Sequence, residues 1–140
     1  MAQKLLAPIL NGEMEWVYEE ADQLFLQKEE EEAVRHTLIK NIYMTGEELS
    51  HMRFYSVIFE NCSFQDCSFL RGEFNDVVFR SCDVSNSVFT DSYFNRTELS
   101  HCKGMGAIFG GSTILHMKVT DCNLDYANFD SCLLYTSDAA

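Results

Sequence analysis

Residues 59–83 read FENCS FQDCS FLRGE FNDVV FRSCD, with phenylalanine returning at every fifth position. Followed outward, the same phase holds a large apolar residue from Phe54 to Leu134, through Val84, Phe89, Phe94, Leu99, Phe109, Ile114, Val119, Leu124 and Phe129. Gly104 is the one exception. Ten of the eleven phenylalanines lie on this grid. Two residues before each grid position runs a second row that is small nearly throughout and contains all six cysteines.

A period of five fits neither the 3.6-residue turn of a helix nor the two-residue alternation of a flat strand. A fixed short period instead specifies a solenoid, in which like units stack on one another. If each five-residue unit forms one side of a four-sided coil, the large residue points to the axis and the small residue fills the adjacent corner. Twenty residues then complete a turn, and residues twenty apart stack at the strand spacing of about 4.8 Å. Two core ladders follow: Phe69, Phe89, Phe109 and Phe129 on one face, and Cys62, Cys82, Cys102 and Cys122 on another.

The units quoted above resemble the pentapeptide repeat family, whose consensus sets a small residue, a variable polar residue, Leu or Phe, and two further polar residues in succession. The resemblance implies an all-β solenoid, a right-handed quadrilateral parallel β-helix; that handedness agrees with the general rule for parallel connections. It is strong over residues 54–131. From His36 to Arg53 a weaker version stays in phase, with Ile39, Met44 and Leu49 in the large row and Thr37, Ile42 and Met52 in the small row. Glu47 interrupts the small row, so 36–53 reads as a degenerate first coil of a repeat domain spanning 36–135.

A solenoid exposes strand edges and core at its ends, so caps are needed. Residues 1–35 lie off the repeat and are expected to form a small, partly helical N-terminal cap, with Leu5, Leu6, Ile9, Leu10, Trp16, Val17, Leu24, Phe25 and Leu26 as its apolar material. The mixed spacing predicts one or two short helices and leaves room for a strand over Gln23 to Gln27. At the other end, CLLYTSDAA (132–140) resembles the translation of a transposase sequencing adapter, TGT CTC TTA TAC ACA TCT GAC GCT GCC. On that reading 132–140 is a non-native tail, outside fold reasoning, and the natural protein continues into further coils. Cys132 and Leu134 nevertheless fall in register.

The net charge of −12 argues against direct binding to a nucleic acid backbone, which needs clustered Lys and Arg. Residues 1–50 carry 11 acidic and 4 basic side chains, whereas 51–140 carry 11 and 6, so the coil body is only mildly acidic. The run Glu29 to Glu32 reads as a solvated face. No apolar run approaches the roughly 20 residues of a membrane span. LLAPIL, at residues 5–10, is too short for a signal-peptide core. Six thiols in a buried row with no export signal point to the cytoplasm.

Candidate sites mostly dissolve into packing. Stacked cysteines point the same way, which suits neither a tetrahedral zinc site nor a disulfide as well as it suits small buried hydrophobes. His36, His51, His101 and His116 all lie two residues after a grid position, facing solvent or a corner, with no partner for a triad or metal shell. Gly104 reads as a local irregularity in the coil. No catalytic, cofactor-binding or metal-binding residue is expected. On the outside, Asp66, Asp83 and Asp125 stand against Lys103 as a possible partner-facing acidic surface; the same residues also serve to keep a sheet soluble.

Function is therefore expected to be non-enzymatic, because a filled coil has no interior cavity. The first reading is a protein-interaction scaffold of unassigned partner. The alternative comes from the family resemblance: some pentapeptide repeat proteins are acidic rods that mimic duplex DNA, bind DNA gyrase or topoisomerase IV, and protect against quinolones. This chain departs from that subgroup in its weakly acidic coil, its lack of projecting loops and the absence of the carboxyl-terminal dimer module. Dimerisation is thus expected only through a missing carboxyl-terminal part.

Overall fold

Every fifth residue from His36 to Ser131 has a positive φ, between +49° and +72°. Each is a corner, where one left-handed residue turns the chain from one side of the coil to the next. The sides between corners are short parallel strands, so the period of five becomes a four-sided parallel β-solenoid. The computed structural model describes residues 5–10, 12 and 14–135.

In chain order the elements are β1 (Trp16–Tyr18), α1 (Ala21–Glu29), β2 (Val34–Lys40), β3 (Tyr43–Thr45), β4 (Arg53–Glu60) and β5 (Ser63–Gln65). There follow β6 (Glu73–Arg80), β7 (Tyr93–Ser100), β8 (Thr113–Thr120) and β9 (Leu133–Tyr135). One seven-stranded sheet has the order β1-β2-β4-β6-β7-β8-β9. Its register advances by one full turn per strand: Phe54 faces Phe74, Phe74 faces Phe94, and Phe94 faces Ile114. Each eight-residue strand covers two sides of the coil, bending at Ser56, Asp76, Arg96 or His116. The third side is the β3–β5 pair continued by single bridges from Ser63 to Asp83, Lys103 and Asn123. The fourth runs through Glu48, Ser68, Val88, Ile108 and Asn128.

Inside, the large row forms columns of rings. Phe59 stacks on Phe79 with centroids 4.7 Å apart, Phe69 on Phe89 at 5.1 Å, Phe89 on Phe109 at 5.0 Å and Phe109 on Phe129 at 4.8 Å, all within 6° of parallel. Around a single coil neighbouring rings meet edge to face, as Phe59 and Phe64 do at 88°. Both arrangements suit the aromatic quadrupole. The rung spacing thus dictates stacking along the axis, and the square cross-section dictates edge contacts within a turn.

The small row has a second role that size alone did not suggest. Cys62, Cys82 and Cys102 each direct Sγ toward the carbonyl oxygen of the residue 23 positions earlier: Ile39 at 3.4 Å, Phe59 at 3.4 Å and Phe79 at 3.2 Å. Ser92 and Ser112 donate hydroxyls to the equivalent carbonyls of Phe69 at 3.0 Å and Phe89 at 2.7 Å. Cysteine and serine are interchangeable here because each is small and carries one donor. Thr97, in the same row, buries a hydroxyl that has no partner among the described residues.

At the amino end, the strand considered over Gln23 to Gln27 is not formed; the segment lies within α1. Two causes are local. Glu20 and Gln23 make a capping box, and no β-branched residue occurs in ADQLFLQKE. Leu24 is the buried residue of this helix. Most of the expected apolar cap material instead remains exposed, including Leu6, Ile9, Trp16, Val17 and Leu26. Strand β1 pairs with β2 through Trp16 and Thr37. The in-phase core extends to Val34, which is buried and faces Phe54. At the carboxyl end, β9 pairs with β8, and residues 136–140 of the adapter-like tail lie outside the described residues.

Candidate functional site

The core of the described coil is filled by stacked side chains. Between Phe79, Val84, Phe89, Phe94, Leu99, Cys102 and Phe109 there is a void of only about 10 Å³, too small to hold a substrate. The missing side chain at Gly104 leaves no pocket either, since Leu124 and Val84 close in on the space a Cβ would occupy. Among the described residues no group of three or more His, Cys, Asp or Glu could hold a metal ion. No helix among them is long and apolar enough to cross a membrane.

The cysteine ladder stands as four free thiols, with Cys62, Cys82 and Cys102 buried and Cys122 half-buried. Hydrogen bonding to Cys102 and Cys62, together with burial, pushes the Cys82 thiol far up, so it stays protonated. In the phenylalanine ladder Phe69, Phe89 and Phe109 are buried, whereas Phe129, with one stacked neighbour, is 37 % exposed. All four histidines occupy corners. His101 Nδ1 lies 4.0 Å from Asp121 Oδ2 on the next coil, and both are exposed.

The outer faces carry the remaining polar side chains of the coil. The acidic trio is not brought together. Asp83 pairs in register with Lys103, and Lys103 with Asn123, so a basic side chain stands on the rung between. Asp83 is also engaged locally, accepting the Ser85 N–H at 3.0 Å and the Gln65 Nε2–H at 2.8 Å. Asp66 is a corner residue with φ of 56°, a conformation in which Asn and Asp are favoured. Asp125 is exposed beside Asn123, whose Oδ1 accepts its N–H at 3.0 Å.

Sequence reasoning missed a half-buried ion pair. Asp76 and Arg96, corners of adjacent coils, form a bidentate pair: Nε to Oδ1 at 2.5 Å and Nη2 to Oδ2 at 2.9 Å. Burial works to raise the Asp76 pKa, but the Arg96 hydrogen bonds and the Ile9 N–H hold it below the usual carboxylate range. The spacing of twenty was the available signal, since it stacks residue 76 under residue 96. Elsewhere the outer faces carry single-rung pairs: Tyr55 donates to Glu73 at 2.8 Å, Arg35 lies 4.5 Å over the Tyr55 ring, and Arg80 approaches Glu60 at 3.6 Å.

Comparison with known proteins matches this geometry. A family model described as Pentapeptide repeats matches residues 73–111 with eight copies. No curated protein sequence matches the chain. Among solved structures, a trypsin-treated form of QnrB1, described as a plasmid-mediated fluoroquinolone resistance protein, is 30 % identical over 69 % of this chain and 47 % of its own, with a TM-score of 0.44. A second trypsin-treated form of QnrB1 is 26 % identical over 80 % of this chain and 52 % of its own, with a TM-score of 0.47. The chain thus spans about half the length of these two structures. A pentapeptide repeat protein of the Arabidopsis thaliana thylakoid lumen is 16 % identical over 66 % of this chain and 58 % of its own; at a TM-score of 0.51 it shares the fold. Pentapeptide repeats thus occupy residues 73–111, and the same twenty-residue register continues through the coil on either side of them.

Proposed function

We propose that the coil is a non-enzymatic scaffold whose outer strand faces hold a protein partner. The observation that supports this is the contrast between inside and outside. The void between Phe79 and Phe109 measures only about 10 Å³, while outward positions form continuous rows at one rung spacing, such as Arg35, Tyr55, Asn75, Asn95 and Leu115. Regular rows on a stiff rod suit recognition of an extended or helical surface. The test is photo-crosslinking in cells with the probe placed singly at Tyr55, Ile58, Gln65 and Ile108, one for each side. Adducts to one protein, concentrated on one or two sides, are expected; a rod that crosslinks nothing from any side would overturn the proposal.

The gyrase or topoisomerase IV reading ranks second. It needs carboxylates in rows, and Lys103 interrupts the row carrying Asp83. A supercoiling assay with purified gyrase separates the two readings. No inhibition and no protection against a quinolone are expected, and inhibition abolished by neutralising Asp66 and Asp125 would reverse the ranking.

A further inference from the structure

One column of corners differs from the others. Along the edges of the rod, corner residues such as Asn61, Arg71, Asn86 and His101 are exposed. Ser56, Asp76, Arg96 and His116, stacked twenty apart, are instead buried or half-buried. The chain's own residues 5–10, LLAPIL, lie across this edge. The Ile9 N–H donates to Asp76 Oδ1 at 3.0 Å, and the Ser56 hydroxyl donates to the Ile9 carbonyl at 3.0 Å. Two coils further on, the Leu6 N–H donates to His116 Nδ1 at 3.2 Å.

The spacing of these contacts follows from two repeats meeting. Asp76 and His116 are two coils apart, a rise of about 9.6 Å. Leu6 and Ile9 are three residues apart, and an extended chain covers about 10 Å in three residues. The edge therefore matches an extended backbone running along the rod axis, with an N–H every third residue. Pro8 falls between the two donors, where no N–H is used, and its fixed φ favours the extended form. Arg96 clamps Asp76 from the next coil, so the carboxylate is held ionised and aimed. Beside the strap, Leu5, Leu6, Ala7 and Pro8 face Thr97, Glu98 and Lys118 across a cleft of about 430 Å³.

We propose that this edge is a binding site for an extended, apolar, proline-containing segment of a partner protein, and that residues 5–10 are its occupant in cis. The strap is built to be displaced. It is held by three hydrogen bonds, with Leu6 and Ile9 each nearly half exposed, against a coil that is packed throughout. A second copy's identical strap competes poorly, because the tethered one acts at an effective concentration in the millimolar range. A partner segment displaces it by filling the cleft as well. The proposal names one surface for the scaffold reading, and each can fail alone: crosslinks on another side leave this edge standing, and an inert edge leaves the scaffold standing.

The test uses the full chain and a fluorescent peptide of residues 3–12, QKLLAPILNG, as the probe. Leu6→Asp with Ile9→Asp disables the cis strap by setting carboxylates against Asp76 and Glu98. By fluorescence anisotropy the probe should bind this variant at least ten-fold more tightly than the native chain, and adding Asp76→Ala should cost at least ten-fold. Equal binding to both chains, no binding to either, or indifference to Asp76→Ala overturns the proposal. A concentration-dependent dimer of the native chain that the strap substitutions abolish would assign the edge to a second copy and overturn it too. If the variant misfolds, amide exchange on the native chain decides: the Ile9 and Leu6 amides should be protected, and Asp76→Ala and His116→Ala should each release their own amide first. Free exchange at both positions refutes the strap itself.

Discussion

Replacing Phe74 measures how much of the stability resides in the stacked rings. Phe74 is fully buried between Phe54 at 5.3 Å and Phe94 at 4.8 Å, both near parallel, with Phe69, Phe79 and Phe89 around it at 5.8–6.0 Å. Phe74→Leu keeps most of the apolar volume but removes two stacked pairs at about 0.5–1.5 kcal/mol each, so a loss of about 1–3 kcal/mol is expected. Phe74→Ala adds a cavity, and the upper part of the usual range of about 3–5 kcal/mol applies. Phe129 has one stacked neighbour and is 37 % exposed, so Phe129→Ala should cost only about 1–2 kcal/mol. The assay is equilibrium urea unfolding of the full chain followed by far-UV circular dichroism, comparing midpoints and slopes. Solenoids can unfold in parts, and a changed slope would reveal it. Equal losses at Phe74 and Phe129, or a loss below about 1 kcal/mol for Phe74→Ala, would refute the column as the main source of cohesion.

Other outcomes follow from the corners and the thiols. Gly111 has φ of +72°, so Gly111→Ala should cost about 1–2 kcal/mol, whereas Arg71→Gly, at φ of 54°, should gain up to about 1 kcal/mol; a loss from the latter would contradict the corner account. Because the folded pKa of Asp76 is lowered, its contribution is present above the ordinary carboxylate pKa and is lost as pH falls below it. Asp76→Ala should therefore flatten the decline in urea midpoint between about pH 5 and pH 2; an unchanged slope of stability against pH argues against that. Thiol titration should find Cys62, Cys67, Cys82 and Cys102 unreactive until denaturation and the half-buried Cys122 and Cys132 faster. Rapid release of four or more thiols from native protein would contradict the packed row.

What the sequence made legible was whatever repeats. The large row, the stacking of Phe69, Phe89 and Phe109, and the four-sided coil all follow from one period, because each unit meets a copy of itself one turn later. Features that occur once were not legible. Gln23 to Gln27 is short and apolar enough for either secondary structure, and the capping pair Glu20 and Gln23 decides it for the helix. Val34 sits in phase, but its neighbours did not mark the coil's start. The contacts of Ile9 and Leu6 with Asp76 and His116 span 67 and 110 residues, and no local pattern carries such a pairing. The donor role of the small row was hidden for a different reason: Cys, Ser and Thr look alike by size, and only the carbonyl 23 residues earlier distinguishes a donor from a filler.

The corners also alter how the acidic composition should be read. A left-handed residue is required at every fifth position, and Asn and Asp tolerate it better than other side chains that carry a Cβ. Asp66, Asp76, Asp91 and Asp121 all meet that requirement. Part of the charge of −12 is thus a by-product of turning the chain, not evidence of a basic partner. Backbone demand and charge can be separated, because Asn satisfies the first without the second. Asp66→Asn, Asp91→Asn and Asp121→Asn together lower the net charge to about −9 on chemical grounds alone. The unfolding free energy from urea titration should stay within about 0.5 kcal/mol of the parent, since surface changes away from special features rarely exceed that. If stability holds and a partner captured by crosslinking is still bound, the corner carboxylates serve the turn. If stability holds and binding weakens with a reduced dependence on salt, the acidic edge takes part in recognition, and the structural reading of these residues is incomplete.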